Sequence, residues 1–191
     1  MILVISFFSS VKGNCPAEWT DDKLKGLNKL NEEYFLLCGP YSGENEQKNK
    51  FRIPSISLND WITEWAEIKK YKKSKNLLMY FVFPIVLLFG LIFDIILKKI
   101  LKTISGSKWS WCILCLPIGI YYSVIKKPKK ILATGGPTAA HLTAVLLGKI
   151  LKIEVICEFQ DPIISPSIYI NSPKMRIAKK IETFIIKNSI K

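Results

Sequence analysis

The chain has 191 residues, which is enough for one ordinary domain with a sizeable core and leaves little room for two. Lys and Arg total 28 against 15 Asp and Glu, and the net charge of +13 predicts attraction to nucleic acid, an anionic membrane leaflet or phosphorylated substrates. The lysines flank apolar runs instead of forming a polar stripe with stacking aromatics, which argues against nucleic acid as the partner.

A β-α-β unit is predicted at the N-terminus. The apolar run at residues 1–8, followed by the turn sequence "SSVKGN", is typical of a buried strand in a parallel sheet. Residues 17–30 fit a helix whose apolar side carries Trp19, Leu24, Leu27 and Leu30. A second strand follows in "EEYFLLCGPYSG", and "FRIPSIS" is a candidate short strand.

The middle of the chain contains a long apolar segment with lysines on both sides. Residues 77–93 carry no charge, and about seventeen helical residues span roughly 25 Å, slightly less than a bilayer core. Lysines at both ends give no orientation, and Pro84 and Gly90 permit a kink. A helix dipping into one leaflet, a single span and a buried core helix all stay open. We therefore expect one domain over 1–191 with a membrane-associating insertion at about 76–104, located at the cytoplasmic face of a membrane.

A second apolar stretch, "WSWCILCLPIGIYYSVIKK", precedes the next strand. Its aromatic residues suit a membrane interface, and a core helix explains them equally well. Cys112 and Cys115 form a C-x-x-C motif within it, but there is no second pair and the single histidine is distant, so no metal site is expected. The five cysteines follow no disulfide-framework spacing, which favours a reducing compartment.

The C-terminal part alternates strands and helices in an orderly way. "KKILAT" predicts a strand, Gly135 and Gly136 a turn, Pro137 the first residue of a helix, and "IEVICEF" the next strand. A final helix is expected from about Pro173, with Ser172 as its N-cap. This alternation predicts an α/β fold: a Rossmann-like parallel sheet with flanking helices, plus the hydrophobic membrane-associating helix.

Three loops are candidate ligand contacts because they follow strands of a parallel sheet: "SSVKGN", "TGGP" and "QDP". The two glycines of "TGGP" allow close backbone approach, and the first helical amides near Thr138 and Ala139 can face an anion. A plain strand-to-helix turn explains the same residues. The dinucleotide fingerprint G-x-G-x-x-G and the P-loop are absent, so we expect no cofactor.

Two further polar side chains belong to this predicted edge. His141 lies one turn along the helix after "TGGP" and could bind a hydroxyl or phosphate or act as a base, or it could serve as a structural histidine. Asp161 follows the last strand and precedes Pro162, where it could accept hydrogen bonds from a sugar hydroxyl or cap the following turn. Each residue alone leaves both interpretations open.

The combination resembles the N-terminal domain of family 4-like glycosyltransferases of the GT-B fold. The stretch "LATGGPTAAHLTAVLLGKILKIEVICEFQDP" carries the resemblance, which covers residues 109–165 well, suits the first strand and loop, and is vague over 40–108. The matching positions are Thr134, Pro137, His141, Phe159, Asp161 and Pro162. The sequence departs from the family pattern at Glu158, Gln160 and Ile163, which stand where Asp, Arg and Trp are usual.

The resemblance implies an acceptor-binding half of a membrane-associated glycosyltransferase that acts on a cell-surface or lipid-linked glycan. The nucleotide-sugar would be held by a C-terminal domain that is missing here, through truncation or supply by a separate subunit. The acceptor-binding residues expected are Ser9, Lys12, Gly13, Asn14, Thr134, Gly135, Gly136, Pro137, Thr138, His141 and Asp161, with no catalytic residue assigned. The alternative is a non-catalytic, membrane-associated Rossmann-like interaction protein.

Overall fold

The computed structural model describes residues 1–11, 13–40, 49–55, 108–160 and 173–190, together with helical residues 88, 89, 91, 92, 95 and 96. The strands are β1 (Ile2–Ser6), β2 (Tyr34–Cys38), β3 (Lys50–Arg52), β4 (Lys130–Ala133) and β5 (Glu154–Cys157). The helices described in full are α1 (Cys15–Lys29), α2 (Trp109–Lys126), α3 (Thr138–Leu151) and α4 (Pro173–Lys187).

The described strands form one parallel sheet in the order β3-β2-β1-β4-β5. Strand β1 is central, with Ile2 opposite both Tyr34 of β2 and Lys130 of β4. The strand order reverses between β1 and β4, which is where ligands bind in open sheets of this kind. The prediction of an α/β, Rossmann-like parallel sheet with flanking helices is confirmed.

Alternating side chains of the buried strands divide the core between two faces. Val4 and Leu36 pack with Leu24 of α1 on one face. Leu3 and Ile5 point to the other face, where they join a larger cluster containing residues of α2, α3 and α4. The sheet is therefore covered on both sides, as an all-parallel sheet requires.

Helix α2 has a buried side and an exposed side. Trp111 is fully buried, donates a hydrogen bond from Nε1 to the Ile53 carbonyl oxygen at 3.1 Å, and meets the Phe7 ring edge-on at 5.3 Å between centroids. Tyr121 on the outer side is 61% exposed. The core-helix interpretation is therefore correct for one side of α2 only.

Two sequence predictions need correction. Pro137 is the N-cap of α3, with an extended backbone, so the helix begins at Thr138 and not at Pro137. Trp19 and Leu30 were expected on the buried side of α1, but they are 40% and 73% exposed. The buried side of α1 is formed by Ala17, Thr20 and Leu24, and Trp19 and Leu30 lie outside it.

Among the described residues, no helix is both long and apolar enough to cross a bilayer. The membrane-associating helix therefore gains no support there, and most of the predicted insertion at 76–104 lies outside the described residues. The parts that are described between 88 and 96 are helical and exposed.

Candidate functional site

The loops after β1 and β4 meet at the point where the strand order reverses. The Thr134 amide donates to the Ile5 carbonyl oxygen at 3.2 Å, so the β4 turn starts directly beside the end of β1. Two of the three predicted loops are thereby adjacent. The third loop is described only through Gln160; Asp161 lies outside the described residues, as does Lys12.

Gly135 allows the turn after β4 to pack closely against α1. Its φ is +72°, and a Cβ there would lie 3.0 Å from both the Pro16 carbonyl oxygen and Thr20 Oγ1, and 3.2 Å from Ser6 Oγ. Glycine is the residue that tolerates both the left-handed backbone and this contact. At Gly136 the nearest atom to an added Cβ is 4.0 Å away, so the surface opens immediately after this contact.

The first turn of α3 offers backbone donors. Pro137 is the N-cap of α3, and its side chain makes no capping hydrogen bond. The Ala140 amide donates to the Pro137 carbonyl oxygen at 3.0 Å. The amides of Thr138 and Ala139 have no acceptor among the described residues, as expected for the start of a helix. Gly136, Pro137 and Thr138 are half-buried and Ala139 is fully buried, so a ligand can approach this turn from the Thr138 side. Unpaired amides and the positive end of the helix dipole suit an anion.

His141 is buried and packed against Phe159 one turn further along α3. It is 2% exposed, its ring stacks on Phe159 with centroids 4.3 Å apart, and Nε2 lies 2.8 Å from the Glu158 carbonyl oxygen. Because a carbonyl oxygen only accepts, Nε2 carries the proton and Nδ1 keeps a lone pair. Nδ1 has no partner among the described residues.

The electrostatics of His141 favour the neutral ring. Burial lowers the pKa of His141, against the carbonyls of Glu158 and Pro137, which favour protonation. An unprotonated Nδ1 and the Pro137 carbonyl are both acceptors, so no hydrogen bond joins them in the neutral state. At neutral pH the ring is therefore an uncharged acceptor at the first turn of α3.

Glu158 joins β5, the β4 turn and α1. Its Oε2 accepts from Thr134 Oγ1 at 3.0 Å, and its Oε1 lies 2.7 Å from Lys23 Nζ. Burial opposes ionisation, but hydrogen bonds from Lys23, Trp19 and Thr134 outweigh it and lower the pKa of Glu158. The carboxylate is therefore ionised and its charge is offset by Lys23, so it repels an anion at the neighbouring turn only weakly.

The predicted residues of the β1 loop are engaged within the loop itself. The Ser9 hydroxyl donates to Asp21 at 3.0 Å, and Asp21 also accepts from the Ser10 amide. Asn14 caps α1 by accepting from the Ala17 amide at 3.0 Å. These contacts shape the loop, and a direct contact of Ser9 or Asn14 with a ligand stays a prediction.

Gly13 is likewise bonded to a residue of α1. Its backbone is left-handed, with φ +72°, and its amide donates to the Glu18 carboxylate at 3.2 Å. Asp21 and Glu18 were not recognised as anchors from the sequence, although both lie in the first half of α1, where carboxylates commonly bond preceding amides.

The site therefore consists of one continuous set of residues and a supporting cluster. The continuous set contains Thr134, Gly135, Gly136, Pro137, Thr138 and His141, all of them predicted from the sequence. The supporting cluster contains Trp19, Lys23 and Glu158, and their proximity was not predicted from the sequence. Trp19 and Lys23 lie one helical turn apart, which places both on the same side of α1 and was the available signal.

The cysteines add no second site. Within the described ranges, no group of three or more His, Cys, Asp or Glu residues has the geometry to hold a metal ion. Cys112 and Cys115 are buried, and burial raises the pKa of both thiols, which disfavours the reactive thiolate.

The chain matches no protein-family model, and no curated protein matches it. Functional proposals for this chain therefore depend on the geometry of the carboxyl edge of its sheet and on the motif found there.

Proposed function

We propose that this chain is the acceptor-binding half of a membrane-associated glycosyltransferase that acts on a cell-surface or lipid-linked glycan. In this proposal the described sheet is one half of a GT-B fold, and a second domain or subunit holds the nucleotide-sugar. The resemblance to family 4-like glycosyltransferases supports it through Thr134, Pro137, His141 and Phe159, which lie together at one edge of the sheet.

One observation carries the proposal: two unpaired backbone amides and an unpaired histidine nitrogen occur in the same helical turn. The amides of Thr138 and Ala139 suit a phosphate or pyrophosphate group of a lipid-linked acceptor. Nδ1 of His141 is a buried, unpaired acceptor in the same turn, and in this proposal it accepts from a ligand hydroxyl. A glycan joined to a lipid through pyrophosphate contains both kinds of group.

A membrane as the location of this acceptor is supported by charge and by exposed apolar surface. The net charge of +13 favours an anionic leaflet. The helical residues Leu88, Phe89, Leu91, Ile92, Ile95 and Ile96 are all apolar and between 45% and 66% exposed. Both leaflet insertion and a span at the cytoplasmic face agree with these features.

The proposal is tested by identifying the lipids that bind the chain. The protein would be purified from membranes in mild detergent, its lipids extracted into organic solvent, and the extract analysed by mass spectrometry. We expect a glycan or polyprenyl group linked to phosphate in the wild type and in Thr138→Ala, and its loss in Thr138→Pro, which removes a site amide. Bulk phospholipids alone in all three samples would contradict the proposal.

A second function is favoured by a different observation: several predicted ligand contacts already have partners inside the protein. The Ser9 hydroxyl is bonded to Asp21, and the Thr134 hydroxyl to Glu158. A non-catalytic, membrane-associated interaction protein would retain such internal bonds without binding an acceptor. The lipid analysis separates the two functions, because this alternative predicts no phosphate-linked glycolipid in any sample.

A further inference from the structure

The outer side of α2 carries an uninterrupted apolar stripe. Ile113, Pro117, Tyr121 and Val124 follow at intervals of four, four and three residues, which places them along one side of a helix. All four are exposed; Tyr121 and Val124 reach 61%. We call these four residues the outer stripe of α2. The opposite side of the helix, with Trp111 and Cys115, is buried against the rest of the domain.

Exposed lysines follow the stripe at its C-terminal end. Lys126, Lys127 and Lys129 form no ion pair with any residue in the described ranges. Lys130, next in sequence, lies 3.5 Å from Glu154 and is therefore partly neutralised. An apolar stripe that ends in unpaired positive charges matches the boundary between acyl chains and anionic lipid headgroups.

We infer that the outer stripe of α2 binds an anionic membrane surface, with Lys126, Lys127 and Lys129 at the lipid headgroups. Tyr121 suits this position because its ring is apolar and its hydroxyl can stay at headgroup level. Helix α2 lies along the membrane and does not cross it, since its other side is covered by the sheet and by α3. The inference rests on the proposed function for its membrane partner, but not for sugar transfer.

The outer stripe of α2 shares no residue with the candidate site at the carboxyl edge of the sheet. Trp111, near the start of α2, reaches the segment just after β3, and the helix ends shortly before β4 begins. The helix therefore runs along the strands. With the outer stripe on the membrane, the strands lie roughly parallel to the lipid surface and the candidate site opens along that surface.

The test compares matched charge changes on the two faces of the sheet. Leu30, at the end of α1 on the opposite face, is 73% exposed and follows the exposed Lys29. Val124→Asp and Leu30→Asp each change the net charge by the same amount, as do Lys127→Gln and Lys29→Gln. Binding of the full chain to vesicles would be measured by flotation, with phosphatidylcholine alone and with an equal mixture of phosphatidylcholine and phosphatidylglycerol.

Val124→Asp is expected to lower the partition coefficient by about tenfold or more, because it replaces an apolar contact with the lipid by a charge. Lys127→Gln should lower binding to the mixed vesicles by about fivefold and leave binding to phosphatidylcholine nearly unchanged. The α1 variants should follow the wild type more closely. Equal losses for Val124→Asp and Leu30→Asp would overturn the inference.

A second measurement reports which residue contacts the lipid when the protein is bound to vesicles. In a Cys15→Ser background, an environment-sensitive fluorophore is attached through Val124→Cys or, as the control, Leu30→Cys. Mixed vesicles should shift the emission to the blue at position 124 and not at position 30. No shift at position 124 would overturn the inference. A dimer that Val124→Asp dissociates while vesicle binding is unchanged would also overturn it, because it would identify the stripe as a protein interface. Neither assay contains a sugar nucleotide or a glycan acceptor, so its result is independent of the glycosyltransferase proposal.

Discussion

Thr138→Pro removes one backbone donor from the candidate site while keeping the helix that carries it. Thr138 is the first residue of α3, a position where proline is favoured because the amide has no intrahelical partner. Pro137 before it has φ −89° and ψ 172°, the extended conformation that a residue preceding proline requires. The variant should therefore fold with nearly unchanged stability.

The expected loss of binding follows from the number of donors. The amides of Thr138 and Ala139 are unpaired within the described part of the chain, and Thr138→Pro removes the first of them. A hydrogen bond to a charged group contributes about 1.5–3 kcal/mol, so inorganic pyrophosphate should bind about 10- to 150-fold more weakly. Thr138→Ala keeps the amide and loses only the hydroxyl, a neutral bond worth about 0.5–1.5 kcal/mol if it is formed at all.

Phosphorus NMR titration measures both apparent dissociation constants, even for weak binding. Circular dichroism and urea unfolding of the two variants provide the folding control. Binding of pyrophosphate to a folded Thr138→Pro variant with wild-type affinity would refute the assignment of the α3 amides, as would an equal loss in Thr138→Ala.

Three further predictions concern the residues that shape the site. Gly135→Ala should lower the free energy of unfolding by about 1–3 kcal/mol, because φ at this residue is +72° and the added Cβ would lie 3.0 Å from two oxygens. Gly136→Ala should change it very little, since the nearest atom to its added Cβ is 4.0 Å away. Urea unfolding of both variants tests this, and equal stabilities would contradict it. Trp111→Phe should cost about 1–3 kcal/mol in the same assay by leaving a buried carbonyl unpaired, and full stability would show that the indole bond is unimportant. Stability should fall on acidification below pH 6.5, the ordinary pKa of histidine, because the pKa of His141 is lower in the folded state and the unfolded chain takes up the proton first. A second decline should begin below pH 4.5 for the same reason, because the pKa of Glu158 is also lower in the folded state. His141→Gln should remove the first decline and leave the second, and an unchanged pH profile in that variant would contradict the assignment.

The sheet and its carboxyl edge were accessible from the sequence because their signals are local. Short apolar runs that alternate with helices indicate parallel strands, and all parallel strands end at one edge. The proximity of Thr134, Pro137, Thr138 and His141 follows directly from one strand, one turn and one helix.

The supporting contacts were not accessible because they join distant parts of the chain. Lys23 and Glu158 form an ion pair that depends on how α1 lies across the end of β5. The bond from Ser9 to Asp21 likewise requires the docked position of α1. No local pattern specifies either distance.

The two sides of α2 were ambiguous for another reason. Apolar residues occupy both the side of Trp111 and the side of Tyr121, so the helical period does not mark which side faces the core. The buried side is marked by Trp111, whose indole donates to Ile53, far earlier in the chain, so the contact is not visible in the local sequence.

Acceptor binding for sugar transfer is tested by an assay with this chain and a candidate donor-binding subunit, such as the product of an adjacent gene. A panel of labelled nucleotide-sugars is incubated with membrane lipid extract, and label is counted in the organic phase. We expect transfer from one nucleotide-sugar only when both proteins are present, with transfer retained in Thr138→Ala and lost in Thr138→Pro. A stable complex of the two proteins that transfers no sugar, or transfer by the second protein alone at the same rate, would contradict this expectation.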